Sequence, residues 1–113
     1  MTKGSYLGEF ELIVLLATAQ LGDQGYGVTI LEEIERRTGR VPSIGAVYAT
    51  LARLEAKGLV RSWQGAATGE RGGRPRRHFA VQPAGLKALE QTRRTLDRMW
   101  RGLDWRTRPR TEG

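Results

Sequence analysis

Residues 43–60, SIGAVYATLARLEAKGLV, decide how this chain folds. Ser43, directly after Pro42, reads as a helix N-cap, because its hydroxyl can accept a hydrogen bond from an otherwise unpaired amide of the first turn. Behind it, Ile44, Val47, Leu51 and Leu54 form an apolar row at helical spacing, and Gly45, Ala46, Ala49 and Arg53 fall on the other side. Surface helices usually carry long charged side chains on that second face. Small ones let the backbone approach a large surface closely, as insertion into a major groove requires.

Upstream, Phe10, Ile13, Val14, Ala17 and Leu21 follow helical spacing and predict a first helix that ends near Gly22. The glycine-rich segment 22–27 reads as a turn. A short second helix follows, with Val28, Leu31 and Ile34 inward, Glu32, Glu33, Glu35, Arg36 and Arg37 outward, and Thr38-Gly39 as its stop. Downstream of the opening stretch, residues 59–63 (LVRSW) and 78–81 (HFAV) predict two short strands. The connection between them, 64–77, carries glycines and the run RGGRPRR at 71–77, so it reads as a basic wing. Pro83 then opens a helix on which Leu89, Thr92, Leu96, Met99 and Leu103 alternate at heptad spacing, with Leu86 and Trp100 widening the stripe.

Composition narrows what such a chain can do. Its 113 residues and 39% hydrophobic content suit one modest core, and 19 Lys+Arg against 12 Asp+Glu give a formal charge of +7 that favours a polyanionic partner. There are no cysteines, one histidine and no phosphate-binding glycine motif leading into a helix, so thiol chemistry is excluded and an enzyme, a cofactor and a bound metal are not expected. The longest apolar run, 12–17, is too short to span a bilayer, and residues 1–10 lack a signal-peptide core, so a cytoplasmic protein without a membrane partner is expected.

The expected fold class is mainly α with a small β hairpin (α+β). It is a winged helix-turn-helix over residues 1–82, a dimerisation helix over 83–104 and a basic tail over 105–113 with little to bury. YGVTILEEI (26–34), SIGAVYATLARLEAKGLV (43–60), ERGGRPRRHFAV (70–81) and PAGLKAL (83–89) resemble successive motifs of the PadR family of bacterial transcription regulators. Members usually place a threonine before the proline of PAG, where this chain has Gln82. The resemblance implies a homodimeric repressor of a palindromic operator, in some members released by a small aromatic effector.

The expected contacts with double-stranded DNA come from Ser43, Gly45, Ala46, Ala49, Thr50 and Arg53 on the third helix, with Tyr48 and Tyr26 offering hydroxyls to phosphates. Simple packing of either tyrosine is the competing reading. Arg53 is the residue best suited to a guanine edge, with a solvated surface role as its alternative. Arg71, Arg74, Arg76 and Arg77 are suited to backbone phosphates or the minor groove. Leu89, Leu96, Met99, Trp100 and Leu103 are expected at a dimer interface, against an intramolecular layer as the other reading. Trp100 and Trp105 either pack there or line an effector pocket. A winged domain that docks on RNA or on another protein would share this fold and charge.

Overall fold

The computed structural model describes residues 7–65 and 76–104. Helix α1 spans Glu9–Leu21, and a 3-10 turn at Gly22–Gln24 leads into α2 at Gly27–Thr38. Helix α3 spans Ile44–Ala56, strands β1 and β2 span Val60–Gln64 and Arg77–Val81, and α4 spans Pro83–Trp100.

Helix α1 is the hub, packed against α2, α3, β2 and α4. Its N-terminus is closed by the Gly8 amide, which donates to Glu11 Oε1 at 3.0 Å, and Glu9 and Glu11 place negative charge where the helix dipole favours it. Because neighbours surround it, the buried residues Val14, Leu15, Ala17 and Thr18 wrap more than one face. The Thr18 hydroxyl is satisfied internally, donating to the Val14 carbonyl at 2.8 Å. Leu15, absent from the expected apolar row, is fully buried.

The remaining core comes from Ile30, Ile34, Val47, Leu51, Leu54, Leu59, Val60 and Phe79. Two inward assignments are corrected here. Val28 is 49% exposed and Ile44 is 40% exposed, because each sits in the first turn of its helix, ahead of the segment that crosses α1. Ile30 takes the place expected for Val28. Glu33, expected on the outer face, is buried to 8%, with its carboxylate held by Arg36 at 2.8 Å and by Arg37. Those two pairs, Arg36 first, outweigh the cost of burial and hold the Glu33 carboxyl below its ordinary value.

Ser43 caps α3 as its position implies, accepting from the Ala46 amide at 3.0 Å. The strands pair antiparallel, Val60 opposite Val81 and Trp63 opposite His78. The hairpin is tied to the helices by the Phe79 amide, which donates to the Gly25 carbonyl at 2.8 Å, and by a bridge between Tyr26 and His78. Pro83 starts α4, and Gly85 lets it start hard against the hairpin. A Cβ there would lie 2.3 Å from the Leu59 carbonyl oxygen and 2.7 Å from Val81 Cγ1.

Beyond its first turns α4 leaves the domain. Ala88 and Leu89 pack against the core, whereas Leu96, Met99 and Trp100 are exposed by 42%, 76% and 50%. The helix stops at Trp100, short of the expected 104, so Leu103 lies after the positive-φ Gly102 and off the helical stripe.

Candidate nucleic-acid interface

At about 100° per residue, burial of Val47, Thr50, Leu51 and Leu54 turns Gly45, Ala49, Ala52 and Ala56 directly outward on α3. Thr50 was expected on that face and is instead 1% exposed, a correction that follows from its place beside Val47, Leu51 and Leu54. Its hydroxyl accepts from Arg53 Nη2 at 3.1 Å. Ala52 and Ala56 extend the small-residue row by a further turn and were missed because the row was read from its first half only. Gly45 and Ala46 are exposed beside the capped first turn, and Arg53 lies on one flank of the row.

Tyr48 stands on the opposite flank, 43% exposed, its ring 6.3 Å from that of Phe79 and tilted by 55°. It lies across the start of α2 because residue 27 is glycine. A Cβ there would fall 2.3 Å from both Cζ and Oη of Tyr48. Gly27 was missed by sequence reasoning; its signal is a glycine in the first turn of a helix, where it costs conformational entropy and needs a compensating reason.

Tyr26 caps the start of α2 through its backbone, its amide donating to the Thr29 hydroxyl at 3.0 Å. The Tyr26 phenol oxygen accepts a hydrogen bond from Arg76 Nη1, and that guanidinium also lies 4.5 Å from the ring centroid. Acceptance leaves the phenol proton directed elsewhere and available to an anion. Tyr26, Tyr48, Val28, Thr29, Glu32, Arg76 and Arg77 together line a cleft of about 460 Å³ between α2, α3 and the wing base. Glu32 is the one acid in that lining among the described residues.

The wing base is an aromatic ladder. Arg61 lies 4.4 Å from the Trp63 ring, Trp63 stacks on His78 at 5.5 Å, and His78 meets the edge of Tyr26 at 5.4 Å, with Arg76 closing the far end. Arg61, missed in the sequence because it lies in a strand rather than in the arginine run, thus joins the cationic flank. Gly65 and Arg76 close the hairpin with an amide-to-carbonyl hydrogen bond of 2.7 Å. Arg71 and Arg74 lie outside the described residues.

A different cluster joins α1 to the end of α3. Lys57 Nζ donates to Glu11 Oε1 and Oε2 at 2.9 and 3.0 Å, and Arg53 Nε lies 3.5 Å from Glu11 Oε2. Partial burial opposes ionisation of Glu11. The Lys57 and Gly8 hydrogen bonds, with the charges of Lys57 and Arg53, overcome it and hold the carboxyl below its ordinary value. Among the described residues no three His, Asp or Glu side chains form a metal-holding group, and no helix is long and apolar enough to cross a membrane.

Helices α1 to α3, an antiparallel hairpin docked on them and a long fourth helix define a winged helix-turn-helix protein of the DNA-binding kind. The model of the PadR-like family of transcriptional regulators matches residues 15–91, and the chain belongs to that family. Members of that family are transcriptional regulators. The chain is 41% identical over 76 residues to a transcriptional regulator of Mycobacterium tuberculosis, covering 67% of this chain and 66% of that protein. It is also 36% identical over 89 residues to an uncharacterised transposon protein of Streptomyces fradiae, covering 79% of this chain and 23% of that protein. The chain therefore spans less than two thirds of either relative's length.

Among solved structures, a transcriptional regulator from Clostridium thermocellum superposes with a TM-score of 0.67 at 25% identity, covering 88% of this chain and 90% of the other. A winged-helix DNA-binding protein, F93 from STIV, shares the fold with a TM-score of 0.67 at 16% identity, covering 88% and 99%.

Proposed function

We propose that the chain is a cytoplasmic homodimeric repressor that binds a palindromic operator, with α3 of each subunit in successive major grooves. Tyr26, Ser43, Gly45, Ala46, Tyr48 and Ala49 face the duplex in this reading, Arg53 stands at its flank, and Arg76 and Arg77 hold the phosphate backbone beside them. Arg71 and Arg74, from the same arginine run in the sequence, are further phosphate contacts in this reading.

The observation that carries the dimer is the groove between α1 and α4. It is about 790 Å³ in volume and lined by Leu12, Leu16, Leu86, Leu89, Leu96 and Trp100 among others. Exposed apolar side chains in one contiguous strip are costly in water, and a second copy of α4 removes them. In this reading the pairing is two-fold, so that each half of a palindrome meets one α3 helix. Release by a small aromatic effector fits the same groove, where Trp100 offers a flat ring.

Selection of bound duplexes from a random pool tests operator binding, and an inverted repeat is the expected product. Equal retention on random duplex and on RNA would refute sequence-specific regulation in favour of a general nucleic-acid module. Leu96→Glu introduces a charge into the strip, and sedimentation is expected to give a monomer with lost operator binding. A dimeric Leu96→Glu protein would contradict the interface.

A further inference from the structure

Glu11 has no place in the contact set above, yet it reaches the recognition helix. Its side chain, only 12% exposed, is fixed at the start of α1 by the Gly8 amide and holds Lys57 and Arg53 at the last turns of α3. Arg53 is 56% exposed and is drawn back along α3 by Glu11 on one side and the Thr50 hydroxyl on the other. Both are cations on the flank of the helix that faces DNA: Lys57 is hydrogen-bonded to the Glu11 carboxylate, and Arg53 is ion-paired with it at 3.5 Å.

Sequence-independent affinity comes from cations that replace the counterions of backbone phosphates, each steepening the slope of log K against log salt by about 0.9. A carboxylate held at hydrogen-bonding distance offers a cation the same charge that a phosphate does. From this geometry we infer that Glu11 is a positioning residue that withholds Arg53, and with it Lys57, from the DNA backbone and so weakens binding to arbitrary sequence. The inference rests on the reading that α3 faces DNA. A repressor searching among a large excess of non-operator sites gains from that restraint, because less of it is retained where no operator lies.

The test is fluorescence anisotropy on a labelled duplex of random sequence, titrated with salt. Glu11→Gln keeps the side-chain shape and an acceptor for the Gly8 amide while removing the charge. It is expected to bind random duplex several-fold more tightly at low salt, with a slope steeper by about 0.9 for each cation released. That variant is also expected to lose a further threefold or so per released cation between about 50 and 200 mM salt. Adding Arg53→Ala to Glu11→Gln is expected to remove one such increment. Arg53→Ala alone, in a protein that retains Glu11, is expected to leave the random-duplex slope as in the wild type.

An unchanged slope in Glu11→Gln, or a steepening that survives Arg53→Ala, overturns the inference. If Glu11→Gln does not fold, the single Arg53→Ala variant decides, since a slope reduced by about 0.9 would show that Arg53 was on the backbone already. Failure of the wild-type chain to bind any duplex removes the DNA reading and this inference with it. Duplex binding with the wrong slopes removes only the inference.

Discussion

Replacing Gly27 with alanine separates the cost of moving one tyrosine from the cost of damaging the fold. The added methyl would lie 2.3 Å from Cζ and Oη of Tyr48 and 2.8 Å from Cε2, so the ring must leave its seat. Because Tyr48 is 43% exposed, it can rotate towards solvent without disturbing the core. The loss is the tilted contact with Phe79, worth about 0.5 to 1.5 kcal/mol for an aromatic pair. Alanine regains roughly 0.8 to 1 kcal/mol over glycine in a helix, somewhat less at a first-turn position. The two nearly cancel, and for a domain of this size about 1 kcal/mol corresponds to roughly 4 to 8 °C in Tm.

Melting temperature is therefore expected to change by no more than about 8 °C. On the proposed contact of the Tyr48 hydroxyl with a phosphate, operator affinity is expected to fall much further, because the displaced hydroxyl no longer reaches it. A hydrogen bond to a charged group contributes about 1.5 to 3 kcal/mol, so the weakening is roughly tenfold or more. Calorimetric melting and anisotropy on the selected operator read the two quantities, and Tyr48→Phe, which removes only the hydroxyl, is expected to match the binding loss without the displacement. Undiminished operator affinity in Gly27→Ala would refute the role given to Tyr48, and a fall in Tm of more than about 15 °C would show that the ring is part of the core.

Two further predictions concern stability. Gly85→Ala faces backbone as well as a side chain, with its methyl 2.3 Å from the Leu59 carbonyl oxygen and 2.7 Å from Val81 Cγ1, so α4 must shift off the hairpin. Overpacking of that kind costs about 1 to 3 kcal/mol, and Tm is expected to fall by roughly 5 to 20 °C, whereas an unchanged Tm would show that α4 docks loosely. For pH, Glu11 and Glu33 both have folded values held below the ordinary 4.5, so the unfolded chain takes up protons first on acidification. Their contribution is present in full above about pH 4.5 to 5 and is lost as pH falls through the depressed folded values. Wild-type Tm is expected to decline in that acid range, and Glu11→Gln and Glu33→Gln are each expected to start lower at neutral pH and decline less. Parallel acid limbs would remove the two carboxylates as the cause.

The helices and the hairpin were legible because each carries its own local signal: a 3.6-residue period, a capping serine, a glycine-rich turn. What was not legible depends on contacts between distant parts of the chain. Helix α1 is apolar through residues 12–17, so periodicity alone does not choose Leu15 over Ile13 when neighbours lie on several sides. Thr50 looked like a polar contact residue, yet its hydroxyl serves Arg53 while its Cα sits among Val47, Leu51 and Leu54. Glu33 looked like surface charge, and only the pairing with both following arginines makes its burial tolerable. The meaning of Gly27 lies 21 positions away in Tyr48, and no spacing rule within a single helix reports it.

The ladder from Arg61 through Trp63, His78 and Tyr26 to Arg76 ends where the hairpin's last described pair begins. It works as a clamp: ring contacts fasten the Trp63 and His78 pair of the hairpin to Tyr26 at the start of α2. Every ring and guanidinium of the clamp lies within the described residues, so a change confined to the sequence of 66–75 leaves the clamp's own side chains in place. In an engineered regulator the same clamp marks the cut points, 65 and 76, between which a foreign segment can be grafted.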